Sequence, residues 1–127
     1  SIAQAAAVAA LTGQQAFLDD WRASFASRRD KVVASLNAIP GLECRAPEGA
    51  FYVFPSMKGL LKKKTPQGKV IESCNQFSTY LLDEAHVATV AGSAFGMGGY
   101  FRISYATSQA LLDEAMRRIA KACASML

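Results

Sequence analysis

Residues Gln15 to Asn37 carry the strongest constraint on the fold. Phe17, Leu18, Trp21, Phe25, Val32, Val33 and Leu36 recur at helical spacing, so the segment reads as one long amphipathic helix. Over 23 residues it spans roughly 35 Å, the width of a small domain. Pro40-Gly41 stops it. A helix of that length beside a few short strands predicts a connector between two lobes. The N-terminal 38 residues are therefore read as helices that include the connector, and residues 39–127 as a small domain.

The rest of the chain alternates short strand and helix signals. Ala-rich Ile2 to Leu11 reads as a buried helix stopped at Gly13. Leu42–Arg45 and Ala50–Phe54, separated by Pro47-Glu48-Gly49, read as a hairpin. Ser56 to Val70, with Lys62-Lys63-Lys64, reads as a basic surface loop. Ser73 and Gln76 form a capping-box signal for a helix with Phe77, Leu81, Leu82 and Ala85 inward and His86 at its end. Val87–Ala91 is a short apolar strand. Gly92–Gly99 is a glycine-rich turn. Tyr100–Tyr105 alternates strictly, with Phe101, Ile103 and Tyr105 on one face and Tyr100, Arg102 and Ser104 on the other. Thr107 or Ser108 caps a last helix with a stripe of Leu111, Leu112, Ala115, Ile119, Ala122 and Cys123. The order α-α-β-β-α-β-β-α predicts an α+β layer, a small, mostly antiparallel sheet packed with helices.

Composition narrows the class. Half of the residues, 51%, are hydrophobic and 19% are charged, which excludes a disordered or low-complexity chain. No run of eighteen apolar residues is present, so no membrane span is expected. The net charge of +4 is mild, and five of the seven lysines fall between Lys58 and Lys69; nucleic acid is not an expected partner. Cys44, Cys74 and Cys123 are far apart and odd in number. They predict neither a disulfide framework nor a metal site, and they suit a reducing, cytoplasmic setting.

Arg102 is the first candidate functional residue. Held mid-strand, its planar fork can grip a carboxylate or phosphate through two parallel hydrogen bonds. A surface arginine on the solvent face of a sheet is the alternative. The Gly92–Gly99 loop lacks Gly-Lys-Ser/Thr and leads into a strand, so it is no Walker loop or dinucleotide fingerprint. His86 has no nucleophile or second histidine to work with and reads as a helix cap. Cys44 and Cys123 read as buried and inert. Cys74 sits near a helix N-terminus without a base. No residue of the chain is read as catalytic.

Three segments, Ala46-Pro47-Glu48-Gly49-Ala50-Phe51-Tyr52-Val53-Phe54, Val90-Ala91-Gly92-Ser93-Ala94-Phe95-Gly96 and Tyr100-Phe101-Arg102-Ile103-Ser104-Tyr105-Ala106, resemble the C-terminal part of class I pyridoxal-phosphate aminotransferases. The likeness is strongest to the bacterial aspartate aminotransferase branch. The resemblance implies the C-terminal domain of a fold-type I enzyme. It implies an aminotransferase for aspartate or a related acidic or aromatic amino acid and a 2-oxo acid, and a homodimer at full length. It places on Arg102 the binding of the substrate α-carboxylate. That grip fixes how the amino acid is turned on the cofactor when its α-proton is removed. The family's cofactor lysine lies upstream of the opening Ser1-Ile2-Ala3-Gln4, and none of the seven lysines here matches its context. The expectation is therefore an incomplete aminotransferase, inactive by itself, with pyridoxal 5'-phosphate bound by an N-terminal part. Lyases and decarboxylases of the same fold, and a stand-alone module binding anions through Lys58–Lys69, are the alternatives.

Overall fold

The computed structural model describes all 127 residues. Its helices are α1 (Ile2–Thr12), α2 (Phe17–Asn37), α3 (Cys74–Ala85) and α4 (Gln109–Ala124). The strands are β1 (Tyr52–Val53), β2 (Val90–Ala91) and β3 (Phe101–Ser104), and 3-10 turns occupy Lys58–Leu60 and Gly92–Phe95.

The sheet is built around β3. Its alternation puts Phe101 and Ile103 into the core, while β1 and β2 pair with it antiparallel on either side, in the order β1-β3-β2. Tyr52 faces Ser104 and Val53 faces Ile103; Val90 faces Arg102 and Ala91 faces Phe101. The β1 pairing outruns its two regular residues. The Tyr105 amide donates to Phe51 O at 2.9 Å, Phe101 to Pro55 O at 3.1 Å and Met57 to Gly99 O at 2.8 Å.

The apolar face of this sheet meets the helices. Phe77 of α3 packs edge-on against Phe101, with ring centroids 5.2 Å apart. On α4 the buried residues Leu112, Met116, Ile119 and Cys123 follow the four-three spacing of one helical face. Val32 and Leu36 of α2 join the same core. The Tyr80 hydroxyl donates to Ala122 O at 2.9 Å and ties α3 to α4. Ser108, not Thr107, caps α4 by accepting from the Leu111 amide.

Several sequence expectations are corrected. α1 is not buried: none of its residues is shielded, and Ile2 and Leu11 are 92% and 81% exposed. α2 reaches the core only from Phe25 onward; Phe17 and Trp21 remain exposed. The first hairpin arm shrinks to a single bridge between Glu43 and Ser56. The Asn37 side chain takes both backbone groups of Cys44, at 2.7 and 2.9 Å, and so removes them from any ladder. β3 pairs with the other edge of the β1 segment, so that Ser56 bridges both Glu43 and Tyr100.

The Ser56–Val70 segment is not a loose loop. Met57, Leu60 and Thr65 are buried, Lys64 bridges to Val70, and Lys64 exchanges two backbone hydrogen bonds with Leu127. Leu82 and Leu111 point outward, and Tyr80 and Met116 take the inward positions. In the capping box, Gln76 accepts from the Glu72 amide instead of the Ser73 amide.

Candidate functional site

Arg102 projects from the face of β3 opposite the core, between the buried Phe101 and Ile103, and is half-buried. The strand register decides its neighbours. Residues directly opposite in an antiparallel pair share a face, so Tyr52 and Phe54 of the β1 segment stand on the same side as Arg102. The guanidinium carbon lies 4.4 Å from the Tyr52 ring centre and 4.7 Å from that of Phe95. Phe95 is itself held: Phe54 meets it edge-on at 5.9 Å and stacks on Tyr100 at 5.7 Å. Lys58 Nζ caps the far end, 4.9 Å over Tyr100.

No acidic group of the chain neutralises Arg102. Arg22 pairs with Asp19, Arg29 with Asp30, and Arg117 and Arg118 share Glu114. Arg102 has rings as neighbours and no carboxylate. A strand-borne guanidinium with open N–H groups on a partly apolar face is suited to a carboxylate ligand, which it can bind at two points.

The glycine-rich turn delivers Phe95 to this face. A Cβ on Gly92 would fall 2.3 Å from Met97 O and 2.6 Å from Tyr100 O, so only glycine admits the close crossing of the chain there. Gly96 and Gly99 take φ values of 73° and 79°, a conformation that costs L-residues with a Cβ. The glycines thus serve the geometry of the turn. Cys74 lies beneath it. Burial pushes its thiol up, but the backbone amides of Ser93, Gly99 and Gly92 and the Ser93 hydroxyl outweigh burial and hold it below the ordinary value.

The other candidates lie apart from Arg102. His86 caps α3 in the left-handed conformation, φ 54°, beside a cavity of about 310 Å³ that also holds Arg117, Arg118 and Lys121. Burial pushes the Cys44 thiol up to about 11 and Cys123 to about 12. Lys62 pairs with Glu72 at 3.1 Å. An apolar cavity, about 410 Å³, lies between the N-terminal half of α2 and the turn before β1. It is lined by Trp21, Phe25, Phe51 and Tyr105 among others. Phe51 packs on Tyr52, with centroids 4.3 Å apart, and so connects this cavity to the rings around Arg102. Sequence reading singled out the arginine and did not set Tyr52, Phe54 and Phe95 beside it as site residues. The alternation of β1 held the signal for the first two; Phe95 is brought in by the turn.

A small antiparallel sheet backed by helices is an architecture shared with fold-type I aminotransferases; here its open face carries an arginine without an acidic partner. Residues 1–119 match the family described as aminotransferase class I and II, and the chain belongs to that family. It is 60% identical over 123 residues to an aspartate aminotransferase of Rhizobium meliloti strain 1021, covering 97% of this chain and 30% of that protein. It is 48% identical over 126 residues to an aspartate/prephenate aminotransferase of Cereibacter sphaeroides, covering 99% of this chain and 32% of that one. The crystal structure of the Rhizobium meliloti aspartate aminotransferase superposes with a TM-score of 0.97 at 57% identity, over 99% of this chain and 32% of that one. The chain therefore spans about a third of the length of the relatives it matches.

Family membership implies dependence on pyridoxal phosphate. The residues of this chain do not fit that group. Arg102 lines none of the cavities above 300 Å³, and the lysine near its ring ladder, Lys58, is laid over Tyr100. What they fit is a carboxylate.

Proposed function

We propose that residues 1–127 are the C-terminal part of an aminotransferase that moves an amino group between an acidic or aromatic amino acid and a 2-oxo acid. Residues 1–38 form the helices that include the interdomain connector, and residues 39–127 the small domain. Pyridoxal 5'-phosphate is held by residues outside these 127. The full-length protein is a cytoplasmic homodimer; the three unpaired cysteines suit a reducing compartment. The names of the relatives support the substrate class.

One observation carries the reading at this site: Arg102 is rigidly placed on the central strand and has no acidic partner. It binds the α-carboxylate of the substrate. A two-point grip adds affinity and also fixes the rotation of the groups on the substrate's Cα, which orients the bond to be broken.

The test uses the full-length protein. Arg102→Ala removes one partner of a charge-assisted pair. That loss typically costs about 2–5 kcal/mol, or roughly 30- to several-thousand-fold in kcat/KM. Arg102→Lys restores only part, because an ammonium lacks the planar fork. Amines without an α-carboxylate should lose far less than amino acids. Arg28→Ala, on α2, is the control. Equal slowing of amines and amino acids, or no change, would overturn the role of Arg102.

A further inference from the structure

The contacts that hold Arg102 leave its hydrogen-bonding capacity intact. A guanidinium carries five N–H donors and no acceptor. An acidic neighbour would steady it but would also occupy those donors, as Glu114 does for Arg117 and Arg118 at 2.7 and 2.8 Å. An aromatic ring attracts the cation through its quadrupole, within about 6 Å of the centroid, and takes no N–H in the way a carboxylate does. Tyr52 and Phe95 satisfy that distance together. They come from different elements, β1 and the turn after β2, on the two sides of β3. Phe54 braces Phe95 edge-on.

We propose that Tyr52 and Phe95 are positioning residues that clamp Arg102 through their rings and keep its donors free for a planar carboxylate. The proposal rests on the reading of Arg102 as the carboxylate-binding residue. Its physical content is preorganisation: a side chain already held in place loses less freedom when the ligand binds. The signature is a demand for an aromatic ring, not for apolar bulk. Leucine at position 95 or 52 fills space without a quadrupole, whereas tyrosine at 95 and phenylalanine at 52 keep the ring.

The experiment measures succinate binding to the full-length, cofactor-loaded protein by calorimetry, alongside amino-acid and amine kinetics. Phe95→Leu and Tyr52→Leu should each raise the Kd for succinate roughly 3- to 10-fold. Phe95→Tyr and Tyr52→Phe should stay within about twofold of the parent. KM for the amino acid should rise with the Kd while kcat changes less, and amines lacking a carboxylate should be unaffected. Phe95 is 47% exposed, so the leucine variant should keep the parent melting temperature. If the leucine and aromatic variants bind succinate equally well while Arg102→Ala loses it, the clamp is wrong and the role of Arg102 stands. If Arg102→Ala binds succinate like the parent, both fall.

Discussion

At the scale of single residues, Gly92 shows how narrowly the turn beside Arg102 is specified. Two backbone oxygens, Met97 O and Tyr100 O, occupy the space a methyl group would need. Neither can swing aside like a side chain. Its amide also donates to Tyr100 O at 2.7 Å, so the turn is closed by the same crossing. Gly92→Ala should destabilise the fold by about 1–3 kcal/mol, the usual cost of overpacking a tight site. It should also shift Phe95 and weaken carboxylate binding. Gly98 has open space at its Cβ position, so Gly98→Ala should stay within about 0.5 kcal/mol. Denaturant unfolding of the pair checks both; equal stabilities would show that the turn can relax.

At the scale of elements, α4 is read by its spacing. Leu111 and Leu112 are adjacent and equally apolar, yet consecutive residues point about 100° apart on a helix. Only one of them can join the face carrying Met116, Ile119 and Cys123. Leu112 is 2% exposed and Leu111 is 62% exposed. Met116→Ala should therefore cost about 2–5 kcal/mol, as for other buried aliphatic truncations. Leu111→Ala should stay within about 0.5 kcal/mol in this chain. Comparable losses at the two positions, measured by thermal unfolding, would contradict this placement of the helix. The Ser56–Val70 segment teaches the same lesson in reverse. Its lysines suggest solvent, but Met57 and Leu60 anchor it from beneath and Leu127 closes it through Lys64.

At the scale of the whole molecule, α1 and the N-terminal half of α2 expose large apolar side chains. Ile2, Val8, Leu11, Phe17 and Trp21 are all at least half exposed, and Phe17 and Trp21 pack on each other, edge to face at 5.1 Å. Exposed apolar helix surface of this kind drives association. The isolated chain should therefore fold around its single core yet self-associate as concentration rises. Leu11→Ser combined with Trp21→Ser should reduce that association without unfolding the chain. Sedimentation velocity measures it, and a clean monomer at high concentration would refute it. The same patch supports the proposed packing of these helices on the rest of a longer protein.

Local pattern alone determined the four helices, the alternating faces of the Tyr100–Tyr105 strand, the Ser73 cap and the place of Arg102 on the face of that strand away from Phe101 and Ile103. Each depends on residues only a few positions apart: helical spacing, period-two alternation, or a side chain reaching a nearby amide. The family resemblance, carried by three short motifs, was legible in the same way. Tertiary structure decided what depends on distant partners. β1 pairs with β3, far along the chain, and keeps only a single bridge to the Leu42–Arg45 arm on its other edge. Tyr80 and Met116 displace Leu82 and Leu111 from the core because the neighbouring helices set which arc of each is covered. Phe95 reaches Arg102 because a turn crosses itself at Gly92. A cation's partners are chosen by the whole fold, since the rings that flank it come from residues up to fifty positions away.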